Sequence, residues 1–174
     1  MILFWPTVIL AEDQPKEMEK GNAGGAEQIQ IVADKLITNN REKYAEFIGD
    51  VKTTSTDFVM VSDRLRIDYK DDLSGTPNRS GSQGSIKRMV ASGNVAITTD
   101  KYTAQTQSAE YDMDTMILVL DGENSMVQSG KNILTGSKIT IYRRDEKIEV
   151  ESGPQKRVKA IFYSNAENHK GKNP

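Results

Sequence analysis

Residues 58–69 read FVMVSDRLRIDY, and this stretch decides the fold class. After its central SDR, apolar Leu65, Ile67 and Tyr69 alternate with polar residues, which is the period-two pattern of a β-strand with one buried face, and before it Phe58 and Met60 share one phase. Met60 and Leu65 are five residues apart, so a straight strand would point them to opposite faces. We therefore predict that the chain bulges or turns near Ser62–Arg64, which brings both side chains to one interior.

Two short elements recur along the chain. The outline of VSDRL at 61–65 appears again as VADKL at 32–36 and TGSKI at 135–139, and the turn GDV at 49–51 returns as GNV at 93–95 and, more weakly, as GEN at 122–124. The same phase change occurs between Ile31 and Leu36 and between Leu134 and Ile139. Self-similar strands that bend at matching places predict one interior wrapped by the chain, in a curved roll or a β-solenoid.

The composition excludes several kinds of protein. The 174 residues carry a net charge of −2, so no bulk field favours nucleic acid. Cysteine is absent, which excludes disulfides, thiolate nucleophiles and Cys-ligated metals, and the one histidine is His169 near the end. Between residues 28 and 163 no stretch of ten residues shows the apolar period of a helix. We predict an all-β domain that needs no metal and no cofactor.

The two ends of the chain differ from its middle. Residues 1–11 (MILFWPTVILA) are nearly all apolar, and we interpret them as a signal peptide remnant, with a buried N-terminal strand as the alternative. Residues 12–27 are polar without periodicity and predict a flexible linker, and 164–174 predict a disordered tail. The domain is therefore predicted over 28–163, with a projecting Gly/Ser/Asp-rich loop at 70–85.

The corners ADKL and SDRL, the turns GDV and GNV, the long polar loop and the segment KRVKAIF at 156–162 together resemble the OstA-like family of periplasmic lipopolysaccharide transport proteins. The resemblance covers about residues 28–163. It implies a twisted, open β-jellyroll of short antiparallel strands with an apolar interior. It also implies a carrier that accepts lipopolysaccharide from an inner-membrane extraction complex and passes it to jellyroll domains of an outer-membrane translocon.

Side chains in phase with the interior are the candidate groove for the lipid A acyl chains. They are Ile29, Ile31, Leu36, Phe47, Val51, Phe58, Met60, Leu65, Ile67, Tyr69, Ile97, Tyr102, Tyr111, Met113, Leu118, Leu134, Ile139 and Ile141. The resemblance places the family's ligand contacts on Ile29, Ile31, Ile97, Tyr111 and Met113. The alternative for each side chain is ordinary core packing, because a narrow roll uses one set of residues for both purposes.

The ends of an open roll predict a second functional surface. The first strand, at 28–32, and the last, at 157–163, would leave unpaired backbone groups. Strand addition between these different edges is heterologous, so it would propagate head to tail as a filament of copies or with related jellyrolls.

Three alternatives compete with a carrier. Paired carboxylates could serve hydrolysis or a divalent metal, and the candidates are Asp68, Asp71, Asp72, Asp112 and Asp114. We predict no catalysis, because these acids lie in a polar loop or on the outward face of a strand. A membrane-anchored relative in the same pathway would need an uncleaved spanning helix, and 11 apolar residues are too few. The third alternative is a secreted jellyroll that binds carbohydrate or acts as an adhesive. Carbohydrate binding would favour exposed Trp and Tyr platforms, whereas the one Trp is Trp5, in the predicted signal remnant.

Overall fold

The computed structural model of the protein describes residues 28–70, 86–154 and 156–163. The predicted signal remnant, linker, tail and nearly all of the polar loop lie outside these residues. Regular structure in the described part of the chain is β, and no helix there is long and apolar enough to cross a membrane.

The prediction of an all-β, antiparallel fold is confirmed. The strands are β1 (Gln30–Val32), β2 (Lys35–Asn39), β3 (Tyr44–Thr54), β4 (Phe58–Tyr69), β5 (Ile86–Thr99), β6 (Thr103–Asp112), β7 (Ile117–Ser129), β8 (Asn132–Tyr142), β9 (Lys147–Glu151) and β10 (Lys159–Ile161). The sheet order is β1-β3-β4-β5-β6-β7-β8-β10, with β2 also paired to β3 and β9 also paired to β8. The six strands from β3 to β8 therefore form a meander in which each pairs with the next along the chain.

A line of bulges crosses this sheet and divides it into two leaves. The register shifts between Ile48 and Val51 on β3, and the shifts on the next strands occur at the same level of the sheet, namely between Val61 and Arg64, Ser92 and Val95, Gln105 and Ser108, and Asp121 and Ser125. The bend predicted at Ser62–Arg64 is confirmed, and it is one point of this continuous corner. The first leaf is the side that contains β2 and β9, and the second leaf is the side that contains β1 and β10.

Cross-strand ladders on the two leaves supply the interior. On the first leaf the ladder beside the corner runs Leu36, Phe47, Leu65, Ala91, Ala109, Leu120, Ile139, Val150. On the second leaf a ladder runs Ile31, Thr53, Met60, Ile97, Ala104, Val127, Leu134, Ala160. Residues of both leaves belong to one apolar cluster, so the leaves fold toward each other. The three predicted phase changes across the corner are therefore confirmed.

The corner is the most tightly packed part of the roll. The largest fully buried apolar side chains are Leu65, Leu120, Ile139, Val51 and Val95, and each lies within three residues of a bulge. Complete burial of a side chain of this size contributes about 1.5–3 kcal/mol. The corner thus holds the two leaves together, while their far ends are free to form a mouth.

Candidate functional site

Hairpin turns on the two leaves form the lips of this mouth. The second-leaf lip includes the turn that follows β5, where the Thr99 hydroxyl accepts from the amide nitrogens of Lys101 and Tyr102, at 3.2 and 3.0 Å. The first-leaf lip includes the turn that follows β6, where one Asp112 carboxylate oxygen accepts from the amide nitrogens of Asp114 and Thr115. The bonds from Thr115, followed by that from Asp114, hold the pKa of Asp112 below its usual value. Local side-chain capping therefore fixes the lips.

An apolar cavity of about 60 Å³ lies between the leaves, below the lips. The second leaf contributes Phe58, Met60 and Ile97, and the first leaf contributes Met89, Ala91, Ala109, Tyr111 and Leu118. We call this space the inner cavity. Its walls come from both leaves, and side chains leave this part of the interior unfilled.

A larger cavity of about 660 Å³ continues from it toward the last strands. We call this space the outer cavity, and its apolar wall consists of Val127, Leu134, Ile141, Ile148 and Phe162. The two cavities share Asp57, Thr99, Tyr102 and Arg143, which form the rim between them. Together the cavities make one groove with an apolar floor and a polar rim.

Arg143 is the charged centre of this rim. Its Nη2 lies 3.2 Å from the Asp57 carboxylate, and its Nη1 donates to the Tyr111 hydroxyl at 3.3 Å. Burial at the mouth lowers the pKa of Arg143, but the bonds to Tyr111 and Asp57 outweigh burial and the net shift is upward. Burial also raises the pKa of the Tyr102 hydroxyl, and the Arg143 charge offsets part of that rise. Arg143 thus stays charged at the edge of an apolar space.

The structure places nearly all predicted groove residues inside the roll. Buried ones are Val51, Met60, Leu65, Ile67, Tyr69, Ile97, Leu118, Ile139 and Ile141, and partly buried ones are Ile29, Ile31, Phe47, Phe58, Tyr102, Tyr111, Met113 and Leu134. Phe58, Met60, Ile97, Tyr102, Tyr111 and Leu118 line the inner cavity, and Tyr102, Leu134 and Ile141 line the outer one. Whether any of them contacts lipid stays a prediction.

Leu36 departs from the expectation that it is sheltered. It pairs with Phe47 and shares the interior face, yet 54% of it is exposed. The physical reason is that β2 is an edge strand with β3 as its sheet partner, so nothing in the described chain covers its outer side. Leu36 is therefore an edge residue.

The sequence did not separate core from groove. Val51, Leu65 and Ile139 sit at the corner and line neither cavity. Conversely, Met89, Ala91 and Ala109 line the inner cavity and were not predicted, although Met89 and Ala91 share the phase of Ile97. Alanine contributes little to an apolar pattern, which is why small groove residues were missed. Asp57 and Arg143 were missed because they are distant in sequence.

The acids considered for catalysis have structural partners where the structure describes them. Asp68 lies 2.9 Å from both Arg66 and Arg88. Burial raises the pKa of Asp68, but hydrogen bonds from Arg88 and Arg66 outweigh it and the net shift is downward. Asp112 caps its turn and Asp114 pairs with Lys70, while residues 71 and 72 lie outside the described part. Within that part, no three His, Cys, Asp or Glu side chains are grouped to hold a metal.

Both edges of the sheet expose apolar side chains. The first edge consists of β1 and β2 and exposes Val32 and Leu36, and the region of the last edge, β9 and β10, exposes Ile148, Val158, Phe162 and Tyr163. Each edge therefore contains two short strands, one per leaf, where the sequence predicted a single strand.

Known proteins resemble this chain in fold and in sequence. The crystal structure of LptH from Pseudomonas aeruginosa, described as the LptA-homologous periplasmic component of the conserved lipopolysaccharide transport device, superposes with a TM-score of 0.66 at 14% identity, covering 79% of this chain and 96% of that one. An uncharacterized protein of Rhizobium meliloti (strain 1021) is 24% identical over 132 residues, which are 76% of this chain and 69% of the relative. Residues 30–147 match the family described as LptA/(LptD N-terminal domain) LPS transport protein. The chain belongs to this LptA-like family of lipopolysaccharide transport proteins.

Proposed function

We propose that this protein is a periplasmic carrier that binds lipopolysaccharide through its lipid A acyl chains and passes it from the inner toward the outer membrane. The observation that carries the proposal is the apolar groove between the two leaves, with walls from both and a polar rim. Family membership supports the transport role, and the periplasmic description of LptH supports the compartment.

An open groove suits transfer better than a closed cavity. Sheltering a methylene group from water contributes about 0.8 kcal/mol, so a twelve-carbon chain gains about 10 kcal/mol when fully enclosed. Several fully enclosed chains would bind too tightly to be released. If each copy shelters the acyl chains only partly and with similar affinity, transfer between copies changes the free energy very little. An energised partner then supplies the direction of transport. This role requires no bond to be made or broken, so we propose a protein without catalytic activity.

Photo-crosslinking in cells tests the groove. A photoreactive residue at Ile31, Ile97 or Met113 is expected to form an adduct with lipopolysaccharide. Val119 and Glu110 are matched controls, because they pair with each other on the outer face of the first leaf and are expected to form none. A folded protein without adducts at the interior sites would refute the carrier and favour the secreted carbohydrate-binding or adhesive alternative.

We further propose that copies join head to tail, and join related jellyrolls of the extraction complex and the translocon, by strand addition between the first and last edges. The support is that, within residues 28–70, 86–154 and 156–163, no strand pairs with the outer side of either edge, and both edges expose apolar residues that a neighbour would cover. Heterologous pairing of this kind extends as a filament.

Charge placed on one edge tests this assembly. Val32→Lys introduces a charged side chain that must lose its water when a strand of another copy covers β1. The purified protein is therefore expected to lose its concentration-dependent oligomers in sedimentation velocity. Val59→Lys is the matched control, because Val59 is exposed on the same leaf but lies on β4, away from the edge. Equal loss in both variants, or in neither, would contradict assembly through the first edge.

A membrane-anchored relative in the same pathway is the remaining alternative. It would share the groove and the crosslinks, so cell fractionation separates the two. The periplasmic carrier is expected in the soluble periplasmic fraction after mild osmotic release, whereas the anchored form would stay with membranes.

A further inference from the structure

One ion pair spans the mouth of the groove. Arg143 belongs to the turn after β8 on the first leaf, and Asp57 belongs to the turn after β3 on the second leaf. Their side chains meet at 3.2 Å between Nη2 and Oδ2, although 86 positions separate them in sequence. Both residues line the inner and the outer cavity. The pair therefore lies where one cavity opens into the other.

The inner cavity is too small for its proposed cargo while Asp57 and Arg143 are paired. Its volume is about 60 Å³, whereas an apolar cavity that admits benzene has about 150 Å³. An acyl chain enters this space only if the lips separate, and separation parts Arg143 from Asp57. An ion pair with side chains this exposed is weak. Sheltering about two methylene groups outweighs it.

Arg143 is well placed to receive an anion when the lips part. Tyr111, a residue packed against the apolar cluster, bonds to its Nη1 and has its ring centre 5.7 Å from the guanidinium carbon. The described bond to Asp57 uses one nitrogen, whereas a guanidinium can make two parallel bonds to a phosphate. A phosphate on an acylated molecule therefore competes well with the Asp57 carboxylate.

We propose that Arg143 binds the anionic head group of the carried lipid, a phosphate joined to acyl chains, and that this phosphate replaces Asp57 as the lips part. The inference rests on the proposed function, since it assigns head-group chemistry to the same groove. In the unloaded protein the Asp57 carboxylate pairs with Arg143, and the lipid phosphate displaces it when the lipid binds. The exchange keeps the arginine paired in both states, so its charge is never left alone beside the apolar floor.

Two amphiphiles that differ in the head group test this exchange on the purified full chain. Decyl phosphate and decanol, kept below their aggregation concentrations, compete with the uncharged fluorophore N-phenyl-1-naphthylamine. Wild-type protein is expected to bind decyl phosphate about tenfold more tightly than decanol, as one charge-assisted hydrogen bond predicts. Arg143→Gln is expected to abolish this preference, so that the variant binds decyl phosphate and decanol with equal affinity. Asp57→Asn is expected to raise the decyl phosphate affinity, because it removes the competitor.

Arg144→Gln is the matched control. Arg144 is the next residue in the same turn, and its guanidinium donates to the Asp114 carbonyl at 3.3 Å. The substitution removes the same charge, yet it is expected to keep the tenfold preference. Retained preference in Arg143→Gln, or equal loss in Arg144→Gln, would overturn the inference. Wild-type protein that binds both amphiphiles equally would also overturn it and leave the carrier intact, whereas failure of both to compete would refute the carrier itself.

A distance measurement tests the movement. The chain has no cysteine, so Asp100→Cys and Asp145→Cys place spin labels on opposite lips. Addition of decyl phosphate is expected to lengthen the distance between labels, measured by pulsed electron resonance. An unchanged distance at saturating decyl phosphate would contradict the displacement of Asp57.

Discussion

The Asp63 carboxylate occupies the space that a β-carbon on Gly93 would need, and it accepts a hydrogen bond from the Asn94 side-chain nitrogen at 2.9 Å. Gly93 and Asn94 both adopt left-handed φ, at 76° and 48°. Asp34 makes the same close contact with Gly49 one repeat earlier. The SDRL and GNV motifs, which the sequence shows as separate repeats, are thus two sides of one corner that lie on adjacent strands.

Substitution of Gly93 tests how much this corner contributes. Gly93→Ala is expected to lower the free energy of unfolding by about 2 kcal/mol, from left-handed strain and overlap with Asp63. Rotation of the carboxylate does not relieve the overlap, because the new carbon would also lie 2.9 Å from the Asp63 Cβ. Gly130→Ala is the control, since Gly130 has φ of 57° but no atom of the described residues lies within 4 Å of the added carbon. Equal losses in urea unfolding would assign the whole effect to strain.

Thr53 carries a buried hydroxyl in the second-leaf ladder. Its Oγ1 has no hydrogen-bond partner among residues 28–70, 86–154 and 156–163. Thr53→Val is therefore expected to raise the free energy of unfolding by about 1 kcal/mol, because it removes an unsatisfied polar group. Ser125→Ala is expected to lower it by a similar amount, since the Ser125 hydroxyl donates to the Gly122 carbonyl at 3.0 Å. Changes of the same sign in both variants would contradict this assignment.

Acid should weaken the outer face of the first leaf. The folded pKa of Asp68 lies below its ordinary value of 3.8, so its pairing with Arg66 and Arg88 stabilises the protein above that pH. This stabilisation is lost as pH falls below 3.8 through the folded pKa. Asp68→Asn is expected to cost about 1–2 kcal/mol at pH 7 and progressively less below pH 3.8. Chemical unfolding across this pH range measures the difference between variant and wild type.

Asp114→Asn is the control for this pH series. Its exposed pair with Lys70 is expected to contribute less than about 0.5 kcal/mol at any pH. If the cost of Asp68→Asn stayed constant down to pH 2, the carboxylate charge would not be its source.

Filling the inner cavity should separate binding from stability. Ala109→Val adds two methyl groups to the cavity wall, so amphiphile affinity is expected to fall about fourfold, the equivalent of one unsheltered methylene. Unfolding free energy should change by less than about 1.5 kcal/mol, because valine suits a strand and occupies free space. Ala96→Val, whose residue pairs with Val61 on the outer face of the second leaf, is the control. Equal loss of decanol binding in both variants would place the site elsewhere.

The strands and their bends were predictable because they follow from local alternation. Met60 and Leu65 must change phase to share an interior, and the bulge between Val61 and Arg64 makes that change. The glycine turns behave differently. Met89, Ala91, Val95 and Ile97 keep one phase through Gly93, so the interior phase of β5 does not change even though its register with β6 shifts between Ser92 and Val95. The alternation of apolar residues therefore revealed the corner on strands whose interior phase changes, such as β4. It did not reveal the corner on β5, where the phase is constant.

Whether a side chain at a sheet edge is exposed depends on strand pairing, and the local sequence pattern does not encode that pairing. Leu36 has the phase of a core residue and Phe47 as its partner, yet it is exposed because no strand of the described residues pairs with the outer side of β2. A short strand at an edge has the same alternation as a central one, so the sequence cannot report which side lacks a neighbour.

The sequence by itself determined the all-β class, the interior face of most strands and the places where VSDRL-type segments bend, because each depends on residues a few positions apart. Only the tertiary structure decided which interior residues pack and which line a groove. Leu65 at the corner and Phe58 near the mouth have the same pattern, but the separation of the leaves differs between the two places. The Asp57–Arg143 pair is the clearest example of a feature that the tertiary structure decided, because folding brings together two turns that no local sequence pattern connects.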